Sequence, residues 1–513
     1  MDPGSKYGRS TSAPEPMSAL LRIQELRAVE ERARTELPPG TLMHRAGTAA
    51  AHAIHQWLAA RHDPSGGVLV LCGPGDNGGD GFDCACTLRE LGHRCQCWAP
   101  LASLSADALA ARERWTQTGG NVTNQLPPLE HFGAAVDALF GIGARRALSE
   151  PFLQALRCVQ ARDIPVVALD VPSGLNADTG AWIGGVTGAP ARLTITFIAD
   201  KPGLHTNDGA QAAGTVRVEA LGLERAVADS APPGALIAPE LFAALCHPRP
   251  TNSNKGDFGS VAVVGGARGM VGAALLAARA ALRLGAGKVY LDCIGAPELS
   301  LDWQQPELMC RCERELPGVG VLVVGCGMGT DAVARERLGR VLSHPGALVM
   351  DADALNCLAR DAALRAALKE RSALSILTPH PGEAARLLAT NSASVQDDRI
   401  GCALRLAQDF GAIVVLKGAG TIVAEPSARY GINPTGGPAL ASAGTGDVLA
   451  GMIGALLAQC ADAAAAVRAA VWLHGRAADV FGADLGLLAS DIAPLAAREL
   501  ARLRGAGARS NRI

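Results

Sequence analysis

The sequence predicts an α/β protein built from two three-layer domains. At 513 residues the chain is longer than a single hydrophobic core usually supports. In both halves, short continuous apolar runs alternate with segments of helical periodicity, which is the pattern of parallel strands covered by helices on both faces. Between the halves, residues 226–250 are rich in proline and alanine, a composition typical of a linker.

The first domain is expected over residues 18–225. It begins with helical periodicity from Ser18 to Leu37 and from Thr41 to Ala60. Four apolar runs bounded by turn-forming residues then predict strands at Val68–Cys72, Ala134–Ala138, Val166–Asp170 and Leu193–Ile198. The preceding residues 1–17, rich in serine, proline and glycine, are expected to form a flexible tail.

The second domain is expected over residues 251–505. Its predicted strands are Val261–Val264, Val289–Cys293, Val321–Val324, Leu348–Met350, Ser375–Leu377 and Ile413–Leu416. Helical segments separate them, so this half also predicts a parallel sheet. In sheets of this kind ligands bind at the carboxyl ends of the strands, which is where we expect both sites.

Composition narrows the classes of function. Lysine and arginine number 47 against 49 acidic side chains, giving a net charge of −2, so the chain has no global field to hold nucleic acid or an anionic membrane. There is no signal-peptide core and no run of about 18 uninterrupted apolar residues, so we expect a cytoplasmic protein. The 14 cysteines lack CxxC spacing and are expected to be free thiols, mostly buried.

The first candidate site is the glycine-rich segment from Gly73 to Gly81 (GPGDNGGDG), which follows a predicted strand. Its small residues let backbone N–H groups gather at the start of a helix expected near Phe82, which would cradle an anion. A Rossmann dinucleotide site also needs an acidic residue about 20 positions further on, and Cys95 to Trp98 supplies none. A tight turn capped by Asp80 remains the alternative.

Two further strand ends in this half carry polar groups. Asp137 ends one strand, and Asp170 ends the next, shortly before Ser173. The carboxyl ends of parallel strands meet at one edge of a sheet, so these residues are expected near the glycine-rich segment. The oxygen atoms of Asn77, Asp137 and Ser173 suit a hard cation rather than a soft metal.

The motifs GPGDNGGDG, DALFGIG and LDVPSG, together with Lys201, resemble the YjeF N-terminal domain, the NAD(P)HX epimerase family, over roughly residues 18 to 225. The resemblance implies a Rossmann-like domain that interconverts the R and S epimers of hydrated NADH or NADPH, with Asp170 and Lys201 as catalytic residues. It also implies a potassium ion held by Asn77, Asp137 and Ser173. The substrate contacts that it implies are Asp76, Asn77, Gly78, Gly79, Asp80, Gly141, Ile142, Gly143, Ala144, Arg145, Arg146, Ala147 and Asp170.

Three of these residues have a second interpretation. Asp76 stands where the family usually has asparagine, and its carboxylate would repel a pyrophosphate unless it points away. Asp170 could instead be a structural carboxylate that caps the turn at Pro172. Lys201 could be an ordinary loop ammonium.

The second candidate site is Gly444 to Asp447 (GTGD), which precedes the apolar segment Val448–Leu457. The glycines let successive N–H groups point at one place beside a helix N-terminus, which would hold the charge of a transferred phosphoryl group. Asp447 is placed to take a proton from a hydroxyl. A simple helix cap is the alternative.

Other strand ends of this half carry further motifs, which lie at 254–259, 269–274, 325–329, 351–356, 378–383 and 417–421. Together with GTGD they resemble the ribokinase-like NAD(P)HX dehydratase family over roughly residues 235 to 505. The resemblance implies that ADP or ATP, with magnesium, phosphorylates the ring hydroxyl of the S epimer and that loss of phosphate then restores NADH or NADPH. In the family that it resembles, the bacterial bifunctional members use ADP and the eukaryotic ones ATP, and a two-domain chain rich in arginine and alanine favours ADP.

This second resemblance also implies site residues. Asp447 is the base, and NAD(P)HX is contacted by Ala273, Gly327, His380 and Asp447. The nucleotide is contacted by Lys417, Gly418, Ala419, Gly420, Thr421 and Gly446. His380 lies between prolines, so a packed loop histidine is the alternative.

Three functions were compared on these grounds. A bifunctional nicotinamide-nucleotide repair enzyme accounts for both sets of motifs. A ribokinase-like vitamin-precursor kinase with a non-catalytic N-terminal scaffold accounts only for the second, and a scaffold of the kind found in RNA-processing factors leaves Asp170 and Lys201 unexplained. We expect a homo-oligomer that binds NAD(P)HX and ADP or ATP, and neither nucleic acid nor a membrane.

Overall fold

The computed structural model describes residues 19–61, 66–312 and 318–510. The predicted tail, residues 1–17, lies outside these ranges. The described chain forms two sheets, one of 7 and one of 11 strands. Each sheet separates two hydrophobic cores; for example, Val263 faces one core and Val264 the other. The predicted α/β fold class with covered parallel sheets is thereby confirmed.

The 7-stranded sheet is parallel throughout and has the order β4-β3-β2-β5-β6-β7-β8. Its strands are β2 (Gly67–Cys72), β3 (Cys95–Trp98), β4 (Val122–Thr123), β5 (Phe132–Ala138), β6 (Val166–Leu169), β7 (Leu193–Phe197) and β8 (Thr215–Glu219). The helices of this half are α1 (Ile23–Glu36), α2 (Thr41–Ala59), α3 (Asp76–Glu90), α4 (Ala106–Gln117), α5 (Phe152–Gln160), α6 (Gly209–Ala212) and α7 (Glu224–Asp229).

The 11-stranded sheet has the order β1-β9-β18-β17-β16-β15-β14-β13-β10-β11-β12. Its strands are β1 (Ala19–Leu20), β9 (Gly234–Leu236), β10 (Ser260–Gly265), β11 (Lys288–Cys293), β12 (Met309–Cys310), β13 (Val321–Val324), β14 (Ala347–Met350), β15 (Ser375–Leu377), β16 (Ile413–Leu416), β17 (Ile422–Ala424) and β18 (Tyr430–Ile432). The pairs β1–β9, β16–β17 and β17–β18 are antiparallel, and the others are parallel.

Ten helices surround this second sheet. They are α8 (Val271–Arg283), α9 (Ala332–Leu342), α10 (Asp353–Arg360), α11 (Ala362–Lys369), α12 (Pro381–Leu388), α13 (Ser392–Asp397), α14 (Arg399–Phe410), α15 (Thr445–Leu457), α16 (Ala463–Phe481) and α17 (Ala489–Ser510). Helix α15 is buried all round from Val448 to Leu457, as expected of a helix that is apolar on every face. Its N-terminus therefore points out of the core at the edge of the sheet.

Every strand predicted from the sequence is present, with ends that shift by at most two residues. Two predicted boundaries were wrong. Ala19–Leu20 forms a strand instead of the start of a helix. Helix α3 starts at Asp76 rather than near Phe82, because the N–H groups of Gly78 and Gly79 already donate to the carbonyl of Gly75, at 3.1 Å and 3.3 Å.

The two halves also share backbone pairing. Strand β1 precedes the first sheet in the chain, yet it pairs with β9 of the second sheet. Leu20 bridges to Asp200, and the N–H of Leu21 donates to the carbonyl of Asp200 at 3.0 Å. Strand β9 itself lies within the predicted linker. The short segment β1 thus ties the end of β7 to the edge of the second sheet.

Within the described ranges, no helix combines the length and apolar character needed to cross a membrane. The 14 cysteines are free thiols, as predicted, and six of them are buried.

Two candidate active sites

The first candidate site is a cavity of about 870 Å³ beside the ends of β2, β5 and β6. The start of α3 and the loop after β5 form part of its wall, and side chains of α1 and α2 close it. Of the predicted substrate contacts, those that line the cavity are Asp76, Asn77, Asp80, Gly141, Ile142, Gly143, Ala144 and Asp170. The structure therefore brings all three predicted motifs of this half to one cavity.

Gly78 and Gly79 are buried and serve close packing. A Cβ on Gly78 would stand 1.9 Å from the carbonyl oxygen of Gly73, and a Cβ on Gly79 would stand 2.5 Å from the sulfur of Met43. Both positions need glycine so that α3 can approach β2 and α2. The first residues of α3, Asp76 and Asn77, then lie at the cavity wall, where the positive end of the helix dipole favours an anion.

The carboxylate of Asp76 is occupied by protein partners. It accepts a hydrogen bond from the Ser105 hydroxyl at 2.5 Å and one from the Arg34 guanidinium at 3.3 Å. Arg34 belongs to α1 and also lines the cavity. The Asp76 carboxylate therefore faces Ser105 and Arg34, which offsets part of the charge that would repel a pyrophosphate.

Asp170 lies at the cavity wall in a left-handed conformation, with φ of 67°. One carboxylate oxygen lies 2.8 Å from the Lys201 ammonium, and the other accepts the N–H of Ile142 at 2.8 Å. Gly141 makes room for it, since a Cβ there would stand 2.4 Å from Oδ2. Strained backbone that the surroundings hold in place is common at active sites.

Lys201 is fully buried behind Asp170. Its ammonium donates to the hydroxyl of Thr196 at 2.6 Å and to the carbonyl of Phe197 at 2.8 Å, in addition to its contact with Asp170. An ammonium has three donors, and these three oxygens use them. Lys201 therefore orients and balances Asp170 and has no remaining proton directed at the cavity.

Of the three predicted cation ligands, Asp137 and Ser173 pair with each other, and Asn77 contacts the end of β6. Ser173 donates its hydroxyl to Asp137 at 2.6 Å and its backbone N–H to the same carboxylate at 2.9 Å. The amide of Asn77 donates to the carbonyl of Leu169 at 3.3 Å, while its buried Oδ1 has no protein partner. Burial raises the pKa of Asp137, and a cation would offset the cost of that buried charge.

Other features of this site were not predicted. Arg145, Arg146 and Ala147 are outside the cavity lining, and both arginines are exposed. Helix α1 supplies Glu30 and Arg34 to the wall, and no motif marked that helix as part of the site. Burial, followed by the nearby carboxylates of Asp170 and Asp76, raises the pKa of Asp80 well above its ordinary value.

The second candidate site is built around the start of α15. Gly444 precedes the helix with φ of 86°, a conformation that favours glycine, and Asp447 lies in the first turn. Burial, followed by the charge of Asp351, raises the pKa of Asp447 to about 6. This carboxylate is still ionised at neutral pH but binds a proton more readily than an ordinary aspartate, which suits a general base.

A buried histidine supports the same helix start. The ring nitrogen Nε2 of His474 lies 2.9 Å from the carbonyl oxygen of Thr445, which can only accept, so Nε2 carries the proton. Burial lowers the pKa of His474 to about 4, so the ring is neutral. The sequence did not single out His474, because a histidine inside an apolar helix has no distinguishing pattern.

Lys417 reaches this site from the end of β16. Its Nζ lies 2.6 Å from Oδ1 of Asp351, and it stands 3.3 Å from where a Cβ on Gly446 would lie. Thr378 donates its hydroxyl to the same Asp351 oxygen at 2.7 Å. Burial alone would lower the pKa of Lys417, but Asp351 and then Glu383 outweigh it and raise the pKa.

The Cys326 thiol also lies in this cluster. Its sulfur and the carboxylate oxygens of Asp351 and Asp447 are within 4.8 Å of one another. Burial raises the pKa of Cys326 well above its ordinary value, so it remains a thiol beside the two carboxylates. Asp351 and Cys326 lie in the predicted strand-end motifs 351–356 and 325–329, but neither was among the predicted site residues.

The predicted contacts to NAD(P)HX in this half fall into two groups. Gly327 and Ala273 adjoin, because a Cβ on Gly327 would stand 3.0 Å from that of Ala273. His380 caps α12 by accepting the N–H of Gly382 at 3.0 Å, and its side chain is 50% exposed. It is thus both a structural cap and accessible to a ligand.

The predicted nucleotide loop, residues 417–421, follows β16 directly. Gly418 and Gly420 have φ of 135° and 62°, which curl the chain so that Thr421 donates its hydroxyl to the carbonyl of Gly418 at 3.0 Å. The loop is partly exposed next to Gly446. Lysine, helix-start amides and the aspartate therefore converge at the carboxyl edge of the second sheet.

This fold and these two sites define a class of protein: an α/β enzyme with two sites, in each of which an aspartate lies next to the start of a helix. Family models match both halves, as "YjeF-related protein N-terminus" over residues 39–203 and as "NAD(P)H-hydrate dehydratase" over residues 261–501. The chain belongs to the family of bifunctional NAD(P)H-hydrate repair enzymes.

Individual relatives agree with this family. The bifunctional NAD(P)H-hydrate repair enzyme Nnr of Escherichia coli (strain K12) is 38% identical over 465 residues, which span 88% of this chain and 87% of that protein. The enzyme of the same name from Coxiella burnetii is 35% identical over 93% of this chain and 98% of its own. The crystal structure of a Bacillus subtilis ADP/ATP-dependent NAD(P)H-hydrate dehydratase, 29% identical, covers 52% of this chain and 98% of its own with a TM-score of 0.46.

Proposed function

We propose that this chain repairs hydrated NADH and NADPH in two steps. The first half, assigned to residues 18–225, interconverts the R and S epimers of NAD(P)HX, and the second, assigned to residues 251–505, dehydrates the S epimer. The observation that carries the proposal is that one chain presents two acidic groups, Asp170 and Asp447, each beside a lysine-bearing strand end and an anion-binding helix start.

In the first half, Asp170 is the proposed acid and base. Interconversion of the epimers requires a group that gives a proton to the departing ring hydroxyl and takes one from the returning water. Asp170 lines the cavity and is held by Lys201 and by the N–H of Ile142, which supports this role. Lys201 acts as a positioning residue. The start of α3 would bind the pyrophosphate of the substrate.

A potassium ion is proposed beneath this cavity, held by Asn77, Asp137 and Ser173. The orphaned, buried Oδ1 of Asn77 supports the fit, since such an atom lacks the partner that buried polar groups normally have. The ion would supply a fixed positive charge near the phosphates. The oxygen donors match the preference of a hard cation.

In the second half, Asp447 is the proposed base. It takes the proton of the ring hydroxyl as that oxygen attacks the terminal phosphoryl group of ADP or ATP, which releases AMP or ADP. The N–H groups at Gly444 and Gly446 and the Lys417 ammonium would stabilise the transferred charge. Loss of phosphate together with a ring proton then restores the double bond of the dihydronicotinamide.

The remaining assignments follow from this reaction. The nucleotide is proposed to contact the loop 417–421 and Gly446, and NAD(P)HX to contact Ala273, Gly327 and His380. Magnesium usually binds one or two carboxylates together with nucleotide phosphates, and Asp351, whose Oδ2 lies toward Gly446, fits this arrangement. ADP as the preferred donor, a homo-oligomeric state, a cytoplasmic location and the absence of nucleic-acid or membrane partners stay predictions.

The test is to incubate the protein with mixed NADHX epimers and either ADP or ATP, and to follow the absorbance of the dihydronicotinamide. We expect it to return with one or both nucleotides, together with release of inorganic phosphate. A stable phosphorylated product without regained absorbance would instead support the vitamin-precursor kinase. The paired Asp170 and Lys201 in the first half count against that alternative.

A further inference from the structure

The nucleotide loop of the second half is in contact with a segment of the first half. Thr206 is fully buried and lies 3.2 Å, through its hydroxyl oxygen, from the carbonyl oxygens of both Ala419 and Gly420. The N–H of Asn207 donates to the carbonyl of Ala419 at 3.2 Å. This contacting segment, residues 205–207, follows Lys201 of the first site by only a few residues.

Arg399, at the start of α14, is also part of this contact between the two halves. It is 1% exposed, and its Nε donates to the Thr206 hydroxyl at 3.0 Å. Its Nη2 donates to the carbonyls of Leu416 at 3.3 Å and Lys417 at 3.2 Å, and its Nη1 donates to the side-chain oxygen of Gln396 at 2.7 Å. The guanidinium therefore joins Thr206 to the chain on which the nucleotide loop begins.

The hydrogen-bond partners of the Arg399 guanidinium are neutral groups, whereas a buried cation is usually paired with a carboxylate. Burial lowers the pKa of Arg399 to about 10, so it is still charged at neutral pH. A buried guanidinium is costly unless its donors are satisfied. The hydrogen bonds of Arg399 thus favour one arrangement of Thr206 and of the backbone at Leu416 and Lys417.

The loop glycines are required by this contact. A Cβ on Gly420 would stand 1.9 Å from the carbonyl oxygen of His205, and a Cβ on Gly418 would stand 2.8 Å from a nitrogen of Arg399. The shape of the nucleotide loop is therefore matched to residues 205–207 on one side and to Arg399 on the other. A loop made only of small residues has little side-chain packing of its own with which to hold that shape.

We propose that the epimerase half holds the nucleotide loop of the dehydratase half in its binding conformation, with Thr206, Asn207 and Arg399 as positioning residues. This inference rests on the proposed role of residues 417–421. Ordering a loop before the ligand arrives removes an entropic cost from binding. Loss of the contact should therefore weaken nucleotide binding and leave the chemistry at Asp447 intact.

The decisive comparison is Thr206→Val against Thr206→Ser in the full-length protein. Valine removes the hydroxyl and leaves Nε of Arg399 without its partner, whereas serine keeps the hydroxyl. We expect Thr206→Val to raise KM for ADP about tenfold with little change in kcat, and Thr206→Ser to behave as the wild type. KM for NADHX and the rate of epimerisation should not change in either variant.

Two further variants keep the test sharp. Asn207→Gly tolerates the φ of 55° at this position and removes the side-chain amide that donates to the carbonyl of Gln396 at 2.9 Å; it should raise KM for ADP in the same sense, by less. Arg22→Ala removes a different contact between the halves, in which the guanidinium lies 5.8 Å from the ring centre of Tyr430. It should leave KM for ADP unchanged.

The outcomes separate this inference from the proposed function. If the wild type shows no nucleotide-dependent repair, the proposed function fails. If the wild type repairs NADHX and Thr206→Val and Asn207→Gly both keep its KM for ADP, the positioning inference is overturned. Should Thr206→Val fail to fold by circular dichroism, Asn207→Gly alone decides. An equal rise in both substrates' KM values would indicate general loosening and would also count against the inference.

Discussion

In the first half, the Lys201 ammonium lies 2.8 Å from the carboxylate of Asp170, which faces the cavity. In the second half, the Lys417 ammonium lies 2.6 Å from a different carboxylate, that of Asp351, while Asp447 lies within 4.8 Å of the Cys326 sulfur. Lys201 is fully buried, and the side chain of Lys417 is 18% exposed. The first lysine is enclosed behind its aspartate. The second stands between a buried carboxylate and the place where phosphates would bind.

The comparison indicates how a lysine and an aspartate can serve two different reactions. An ammonium whose donors all bind protein fixes one carboxylate in place. An ammonium beside a helix start can add its charge to the N–H groups that hold a phosphoryl group. Raising the pKa of the base by burial and a second carboxylate, as at Asp447, then prepares it to accept a proton.

The largest effect is expected from Asp447→Asn. Removal of a general base should lower kcat for dehydration by about 10²–10⁴-fold, while epimerisation by the first half continues. Dehydration is followed by absorbance and epimerisation by chromatography of the two epimers. Asp409→Asn, at a carboxylate that is 49% exposed on α14, is the matched control and should leave both rates unchanged. Normal dehydration by Asp447→Asn would remove its role as base.

Asp170→Asn tests the corresponding aspartate of the first half. Asparagine tolerates the left-handed backbone, keeps the side-chain volume and can still accept a hydrogen bond from Lys201, and denaturant unfolding checks that the variant folds. We expect epimerisation to fall by about 10²-fold, so that the S epimer is repaired and the R epimer accumulates. Equal consumption of both epimers at the wild-type rate would contradict the assignment.

The two lysines should differ in how their substitution by methionine affects nucleotide binding. Each variant leaves a buried carboxylate without its partner, Asp170 in Lys201→Met and Asp351 in Lys417→Met, and breaking such a buried pair should lower the free energy of unfolding by about 3–5 kcal/mol. Lys417→Met should also raise KM for ADP, because its ammonium lies beside Gly446, whereas Lys201→Met should leave KM for ADP unchanged. Denaturant unfolding and steady-state kinetics of both variants check this. An equal rise of KM for ADP in both variants would remove the distinction.

The rate of dehydration by the second half should depend on pH. Since the pKa of Asp447 is about 6 and the base must be ionised, kcat/KM for dehydration should be constant well above pH 6 and decline as the pH falls below it. For a single ionisation the decline approaches about tenfold per pH unit. Stopped assays on the pure S epimer between pH 5 and pH 8 measure it. A flat profile through pH 5 would contradict a base with this pKa.

The smallest effect is expected from exchange of the cation. Potassium should raise the midpoint of thermal unfolding of the wild type relative to tetramethylammonium, because a bound ion stabilises the folded state. Asn77→Leu removes the orphaned oxygen and should abolish that shift, whereas Asn391→Leu, which alters only a helix cap of the second half, should retain it. If potassium raised the midpoint of thermal unfolding equally in both variants, the ion would bind at a site other than Asn77.

The sequence by itself determined the α/β class, the predicted strands and the order of the motifs. These depend on local hydrophobic periodicity and on turn residues, which act over a few positions. It also indicated the two aspartates and both lysines. It did not reveal the short antiparallel strands β17 and β18, whose three residues each carry little periodicity.

Only the tertiary structure decided which groups meet. Lys417 and Asp351 are 66 residues apart in the chain, and Arg399 and Thr206 are 193 apart. Such pairs depend on strand order and on the packing of one half against the other, which no local pattern specifies. The pairing of Asp76 with Arg34, which are 42 residues apart, was decided in the same way. The physical reason is that periodicity fixes where a strand ends, whereas the neighbours of its last side chain come from distant parts of the chain.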